Sequence, residues 1–390
     1  MTVGRWTELK EVALALLKLG ATSYGGPAIM GLMQAELQDR RRWVSRERFV
    51  EGLALVNMLP GATATQLGIF LAYARGGWWA ALLGGLCFVL LGFVVMLVLT
   101  LAYAGVGATP VMRGALYGLG PVVLGIFAVA VYRLGRTAVA TRAQLAITLG
   151  AAAAIALTSL GVAMVLALAA GVGLVLFHSR RLGAAVLAGV GAIAALAALP
   201  WWPTIAPGPV AGGAGLFDIG VYFFKVGAFT VGGGLTMIAF MQEQVIHELH
   251  WLTPQEFIGG LALGQLTPGP ILMLAAYVGY KVAGVAGAAV AAAAAFLPSF
   301  VLMLALLPAL DRVRRWTWTR AALRGMGPAV IGVLAVSLGR LAPHAVPDPF
   351  AALLFVVTVG ALVAWRVGAI PLMLSGGAAG ALRTGLGRAG

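Results

Sequence analysis

Long apolar runs alternate with short polar segments along the whole chain. Runs of about 18 or more apolar residues predict helices that cross a lipid bilayer. Such runs fall near residues 78–103, 112–131, 143–160, 161–177, 183–199, 285–309, 322–341, 350–365 and 367–384. The pattern therefore predicts an all-α polytopic membrane protein.

Four further apolar segments are broken in the middle by glycine or proline, near residues 9–35, 49–74, 214–241 and 257–283. Each is either one interrupted crossing or a hairpin of two half-membrane helices. Interrupted crossings would place the arginine-rich loop at residues 40–48 outside the cell, against the positive-inside rule. We therefore favour re-entrant hairpins.

The broken segments belong to an internal duplication. Lys18-Leu-Gly-Ala-Thr-Ser-Tyr-Gly-Gly-Pro27 matches Lys225-Val-Gly-Ala-Phe-Thr-Val-Gly-Gly-Gly234, at an offset of 207 positions. Gly52-Leu-Ala-Leu55 matches Gly260-Leu-Ala-Leu263, and Gly118-Leu-Gly-Pro121 matches Gly325-Met-Gly-Pro328. We expect an N-terminal repeat at 1–182, a linking transmembrane helix with an external Pro/Gly-rich linker at 183–213, and a C-terminal repeat at 214–390.

The charges of equivalent loops indicate that the two repeats are inverted. The loop after the first break carries five arginines between residues 40 and 48, whereas its counterpart at 242–256 has no lysine or arginine. Conversely, the loop at 105–110 is uncharged, and its counterpart at 312–320 is basic. Because basic loops stay in the cytoplasm, equivalent loops lie on opposite sides of the membrane. The N-terminus is then cytoplasmic.

Composition excludes several other classes of protein. The chain of 390 residues is 61% hydrophobic and 10% charged, whereas a soluble domain carries about 25% charged residues. The net charge of +14 comes from arginine clusters between apolar runs, so it indicates membrane topology and no nucleic-acid partner. Cys87 is the single cysteine, which excludes a disulfide framework. We expect no metal, no cofactor and no catalytic residue, and an intramembrane enzyme is disfavoured.

The breaks are the candidate substrate site. Secondary transporters build midplane sites from broken helices in inverted repeats, where freed N–H groups and half-helix N-termini bind anions. The candidates are the break residues and the polar residues beside them: Lys18, Ser23, Gly25, Gly26, Pro27, Asn57, Pro60, Gly61, Thr63, Gln66, Lys225, Thr230, Gly232, Gly233, Gly234, Gln265, Pro268, Gly269 and Pro270.

Several of these residues also have a purely structural interpretation. Lys18 and Lys225 either balance the charge of a dianion or extend to the membrane interface. Asn57 and Gln265 are either ligands or caps of half-helices. Glu36 and its equivalent Glu243 are candidates for carrying a coupling proton, or are charges at helix ends.

At these residues the chain resembles the chromate ion transporter family, bacterial and archaeal inner-membrane proteins whose long members fuse two homologous halves. The resemblance rests on residues 16–27, 57–61 with Gln66-Leu67, 226–234, 265–270 and 277–280, and it covers both halves. It implies chromate efflux across the inner membrane by alternating access, driven by the proton gradient or the membrane potential.

Other substrates and mechanisms stay open at this point. Sulfate or another oxyanion is the alternative substrate, and an anion channel with the same broken-helix filter is the alternative mechanism. The expected partners are a chromate-like or sulfate-like oxyanion and the lipid bilayer. A homodimer is compatible with the sequence, which does not determine the oligomeric state.

Overall fold

The structure is a computed structural model. It describes residues 3–23, 27–57, 59–106, 109–158, 160–197, 215–230, 235–309, 317–365 and 367–386. Most of the predicted external linker and the basic residues at 310–316 lie outside these ranges.

The first half consists of helices, several of which begin at a capping hydroxyl or a proline. In chain order they are α1 (Val3–Thr22), α2 (Pro27–Met33), a π-helical segment (Gln34–Arg40), α3 (Arg46–Val56), α4 (Thr63–Val106), α5 (Pro110–Ala138), α6 (Arg142–Leu157), α7 (Val162–Phe177) and α8 (Arg180–Ala197). Helix α8 is the predicted linking helix and begins three residues before the expected boundary.

The second half repeats this order. Its elements are α9 (Leu216–Phe229), α10 (Leu235–Gln242), a π-helical segment (Glu243–Glu248), α11 (Pro254–Leu266), a 3₁₀ turn (Ile271–Met273), α12 (Leu274–Leu306), a 3₁₀ turn (Leu307–Ala309), α13 (Thr317–Ala345), α14 (Pro349–Ala364) and α15 (Ala369–Leu386). The prediction of an all-α polytopic membrane protein is confirmed. Within the described part of the chain, four helical segments are long and apolar enough to cross a membrane, namely Thr63–Gly105, Pro110–Ala138, Ile271–Leu306 and Thr317–Ala345.

The chain turns back on itself within each predicted hairpin of the first half. Glu11, near the start of α1, accepts a hydrogen bond of 2.9 Å from Trp43, which follows the first break and the π-helical segment. Arg75, after the second break, also pairs with Glu11 at 3.0 Å. Both ends of each broken segment therefore meet at one end of the helix bundle, as the hairpin interpretation expects.

Two glycines allow α4 and α12 to fold back sharply. Gly77 and its equivalent Gly284 have φ values of +71° and +62°, a region that glycine adopts most readily. The segment of α4 before Gly77 then packs antiparallel on the segment after it, so that a Cβ on Gly84 would lie 2.9 Å from Ala72. Each of these long helices therefore consists of two segments that meet at a sharp turn.

Reciprocal contacts relate the halves by a pseudo-twofold axis. Arg133 on α5 donates a hydrogen bond of 2.7 Å to the carbonyl oxygen of Leu362. Its equivalent, Arg340 on α13, donates one of 2.8 Å to the carbonyl oxygen of Ile155, the equivalent of Leu362. A contact that each half makes identically to the other is the mark of twofold symmetry, and it fits the inverted halves that loop charge predicts.

The helices form two bundles, each built from both halves. The broken-helix bundle consists of α1–α4 and α9–α12, with α1 packed on α4, α9 on α12, and α4 on α12. The straight-helix bundle consists of α5–α8 and α13–α15, in which α13 packs on α6 and α7 while α5 packs on α14 and α15. Since helices of one half pack on the central helix of the other, the halves interlock. The breaks lie inside the first bundle.

Candidate functional site

The breaks of the two halves are joined by hydrogen bonds between main-chain groups. The N–H of Gly61 donates to the carbonyl oxygen of Thr230 at 2.6 Å, and the N–H of Gly269 donates to the carbonyl oxygen of Ser23 at 2.7 Å. A helix end has unpaired carbonyls that need donors where water is scarce. The second break of each half therefore donates a hydrogen bond to a helix-end carbonyl at the first break of the other half.

Positive φ angles at both glycines make this pairing possible. Gly61 has a φ of +122° and Gly269 a φ of +103°, and residues with a Cβ adopt such angles only with strain. The carbonyl of Pro268 also lies close to α4, 2.8 Å from where a Cβ on Gly92 would sit. These small residues let main chain approach main chain at the centre of the bundle.

The first turn of α4 is the most polar part of this centre. Thr63, Thr65 and Gln66 are all buried, with Thr65 and Gln66 fully so. The N–H of Ala62 donates to Ser299 Oγ on α12 at 2.8 Å, and Gln66 Nε2 donates to the carbonyl oxygen of Pro60 at 2.6 Å. A side chain of the other half, Ser299, thus contacts the break at the start of α4.

Three buried polar atoms beside the breaks lack a hydrogen-bond partner among the described residues. They are Ser23 Oγ, Thr65 Oγ1 and Gln66 Oε1. Ser23 is fully buried at the end of α1, and its carbonyl oxygen holds the opposite break. Buried polar atoms in native proteins are nearly always paired, so these atoms are suited to binding a polar ligand or ordered water.

The equivalent turn of the second half is apolar. Pro270, Ile271, Leu272 and Met273 occupy the positions of Thr63 to Gln66, and Leu272 and Met273 are fully buried. The Thr267 hydroxyl is satisfied by the carbonyl oxygen of Leu263 at 2.8 Å. Among the described residues beside the breaks, the unpartnered buried polar side chains therefore belong to the first half.

The comparisons with known proteins agree with this architecture. The family model described as "Chromate transporter" matches the chain twice, over residues 10–176 and 217–381, each within one predicted repeat. The chain belongs to the chromate transporter family. A chromate transport protein of Cupriavidus metallidurans is 33% identical over 95% of this chain and 92% of its own length. A probable chromate transport protein of Synechococcus elongatus is 32% identical over 92% of this chain and 91% of its own length. No solved structure matches the chain.

Several predicted site residues of this chromate transporter family member lie outside the described residues. They are the glycines of both double-glycine breaks, Gly25, Gly26, Gly232, Gly233 and Gly234. The residues on either side are described: Ser23 ends the first segment, Pro27 begins α2, and Thr230 ends α9 with its hydroxyl bonded to the carbonyl oxygen of Val226 at 2.7 Å.

Other predicted residues lie away from the buried centre. The side chains of Lys18 and Lys225 are exposed on α1 and α9. Asn57 is exposed as well and donates to the carbonyl oxygen of Leu53 at 2.8 Å, so it caps α3. Gln265 is half-buried near the end of α11. Asn57 thus occupies the capping position that its structural interpretation describes.

Both predicted proton-coupling carboxylates are ion-paired. Glu36 contacts Arg41 at 2.8 Å and Arg40 at 3.1 Å, and the hydrogen bond from Arg41 holds the pKa of Glu36 below its ordinary value. Glu243 pairs with Arg340. The ion pair with Arg41 favours the charged form of Glu36 in this conformation.

Sequence reasoning missed Ser299 and the two arginines of the central helices. Ser299 follows Pro298 inside a long apolar helix, and Gly92 occupies the equivalent position in the first half. A hydroxyl that replaces glycine in one repeat is a signal that could have been found. Arg133 and Arg340 are likewise equivalent cations near the ends of apolar helices.

Proposed function

We propose that the protein exports chromate across the inner membrane. The observation that carries this proposal is the pair of unpartnered buried hydroxyls at the breaks, Ser23 Oγ at the end of α1 and Thr65 Oγ1 in the first turn of α4. Membership of the chromate transporter family and the names of the relatives supply the substrate. Chromate is a tetrahedral oxyanion, and it needs hydrogen-bond donors in a site that excludes water.

The first turn of α4 offers such donors. The N–H groups of a helix's first turn have no partner within the helix, and the helix N-terminus carries a partial positive charge that attracts anions. Thr65 adds a hydroxyl donor at this turn, and Ser23 adds one at the end of α1. The N–H groups of the glycines at 25–26 and 232–234 complete the donor set in this proposal.

Gln66 offers both a donor and an acceptor. Its Nε2 has two N–H groups, of which one donates to the carbonyl oxygen of Pro60, so the other can donate to the anion. Its Oε1, which lacks a partner among the described residues, can accept from a water that bridges to the substrate.

The proposed topology places the N-terminus and the arginine-rich loop at 40–48 in the cytoplasm. The four broken segments then enter the membrane as hairpins from opposite sides, and the breaks meet near the midplane. Lys18 and Lys225 add positive charge on α1 and α9, which favours approach of an anion.

Alternating access by rocking of the broken-helix bundle against the straight-helix bundle exposes this site to each side in turn. Export of a dianion from a cell with a negative interior is favourable by about 2.3 kcal/mol per charge per 100 mV. The membrane potential alone is therefore a sufficient driving force, and a proton gradient is the alternative.

The test uses purified protein in liposomes with an imposed potential and measures chromate flux for Thr65→Val. The matched control is Thr100→Val, since the buried Thr100 hydroxyl is already bonded to the carbonyl oxygen of Met96 at 2.7 Å. We expect Thr65→Val to lose roughly tenfold or more of the flux with unchanged stability, because it removes a free donor, while Thr100→Val retains the flux.

The outcomes of this assay separate the alternatives. Absence of potential-driven chromate flux in the wild type would overturn the proposal. Equal transport of sulfate would make the protein a general oxyanion transporter, and channel-like conductance without saturation would make it an anion channel.

A further inference from the structure

The equivalent helices α3 and α11 are buried to different extents. On α11, Ile258, Leu261 and Ala262 are buried, with Ile258 only 7% exposed. On α3, the equivalent of Ile258 is Val50, which is 55% exposed. The two repeats have the same apolar face at this position, but one of the two faces is uncovered.

Helix α5 covers this face of α11, and the corresponding face of its equivalent, α13, is uncovered. A Cβ on Gly120 of α5 would lie 3.7 Å from Ile258, in van der Waals contact. Its equivalent, Gly327 on α13, has nothing within 4 Å of the same position among the described residues. Helix α11 packs on α5, α13 and α15, whereas the main partners of α3 are α4 and the adjoining π-helical segment.

The ion pairs show the same asymmetry. Arg340 pairs with Glu243 and so ties the second half's π-helical segment to α13. The equivalent pair is Arg133 with Glu36, but Glu36 instead contacts Arg41 and a neighbouring arginine in its own segment. Arg133 has no carboxylate partner among the described residues, although it makes the same carbonyl contact as Arg340.

We propose that Glu36 and Arg133 form the closing ion pair of a second conformation, in which the α3 face at Val50 docks on α13 at Gly327. The described conformation is closed on the side of α11, where Glu243 pairs with Arg340, and open on the side of α3. When the α3 side closes, the α11 side opens. The ion pair of Glu36 with Arg133 then forms, and that of Glu243 with Arg340 breaks.

The repeat itself is the reason for expecting this second conformation. Each half has the same apolar face and the same carboxylate–arginine pair, so contacts made on one side have equivalents of similar strength on the other. Only one set is formed at a time because a rocking bundle cannot close both sides together. The proposed topology places α3 on the cytoplasmic side, and this inference rests on that topology for the assignment of sides. The described conformation is then open to the cytoplasm.

The experiment measures the distance between the α3 and α13 faces directly. Spin labels are placed at Glu47→Cys on α3 and Arg320→Cys on α13 in a Cys87→Ala background. Both positions are exposed, and so are their equivalents Gln255 and Arg113 on the closed side, so the labels do not occupy the docking contact. Double electron–electron resonance in nanodiscs should resolve a long distance and a shorter one. A single long distance under every condition, including the variants below, would overturn the proposal.

Charge-neutral variants test the ion pairs in opposite directions. Glu36→Gln and Arg133→Gln should each deplete the short-distance population, and the double variant should deplete it no further than either one. Arg340→Gln, which removes the pair on the closed side, should increase that population. Arg133→Lys keeps the charge and serves as the second variant if Arg133→Gln does not fold.

The result is independent of the substrate. Additive effects of Glu36→Gln and Arg133→Gln, or no response to Arg340→Gln, would contradict the exchange of ion pairs even if chromate is transported. Conversely, absence of chromate flux with the expected distance changes would overturn the proposed function and leave the two conformations intact.

Discussion

The N–H of Gly61 and the carbonyl oxygen of Thr230 are 2.6 Å apart, although the two residues belong to different halves of the chain. Their hydrogen bond joins the proline break of the first half to the glycine break of the second. The reciprocal bond from Gly269 to Ser23 completes the pair. The breaks are thus joined across the two halves in two reciprocal pairs.

Gly61→Ala is expected to damage transport more than Gly269→Ala. Both glycines have positive φ angles, so each alanine adds backbone strain of roughly 1–3 kcal/mol. A Cβ on Gly61 would also lie 2.5 Å from Ser299 Oγ and 2.6 Å from Gln66 Nε2, whereas one on Gly269 meets nothing nearer than 3.9 Å. Chromate flux per correctly folded molecule is the measurement, and equal losses would contradict this account.

Gly20→Ala and Gly227→Ala should each lower thermal stability. A Cβ on Gly20 would collide with the carbonyl oxygen of Phe88, and one on Gly227 with that of Ala295, the equivalent residue. Overpacking of this kind costs roughly 1–3 kcal/mol. The melting temperature in detergent measures the loss. The control is Gly150→Ala, where a Cβ has open space and the melting temperature should not fall.

Replacing Lys18 and Lys225 together by alanine should reduce chromate flux only a few-fold. Both side chains are exposed, and a solvated charge contributes about 1 kcal/mol at contact distance and less beyond it. The assay compares initial rates at low and high salt, because screening should shrink the difference. A loss large enough to abolish flux would show that the lysines bind the anion directly.

The loop before α14 should lose stability at acid pH. Hydrogen bonds from the Tyr117 hydroxyl, from the N–H of Ala351 and from Arg383 hold the pKa of Asp348 at about 2, below the ordinary value of about 3.9 for an unfolded aspartate. A depressed pKa stabilises the fold above the unfolded value, and this stabilisation is lost as the pH falls toward 2.

Asp348→Asn checks this expectation. The asparagine can still cap α14, where Asp348 Oδ1 accepts from the N–H of Ala351 at 2.8 Å, but it cannot form the ion pair with Arg383. The melting temperature of the variant should lie below that of the wild type at pH 6, with the difference narrowing below pH 4. A constant difference at every pH would exclude the charged form of Asp348 as its cause.

The helices and their breaks could be predicted from the sequence alone. Apolar runs longer than a bilayer crossing have few folded alternatives, and each predicted crossing overlaps a helix of the structure. The repeat of Lys18 to Pro27 at 225–234 revealed the duplication, and the arginines of the loop at 40–48 predicted its inversion. These signals come from short segments of the sequence, or from comparing the two repeats with each other.

The identity of the polar residues at the centre could be predicted only in part. Ser23 and Gln66 were found because they adjoin visible breaks, and both are fully buried there. Ser299 was missed because it lies 26 residues beyond the 3₁₀ turn of its own half, in an otherwise apolar helix. Nothing local connects it to Ala62, whose N–H it binds.

The sequence by itself determined the helices, their breaks and the symmetry that relates them, since hydrophobic length and loop charge act on each segment separately. Only the tertiary structure decided that the break at Gly61 meets Thr230, that the hydroxyls of Ser23 and Thr65 are buried without a partner among the described residues, and that Glu243 rather than Glu36 is paired across the bundles. The physical reason is that these contacts join residues far apart in the chain. Their partners depend on how whole helices dock, and on which of two equivalent sides is closed.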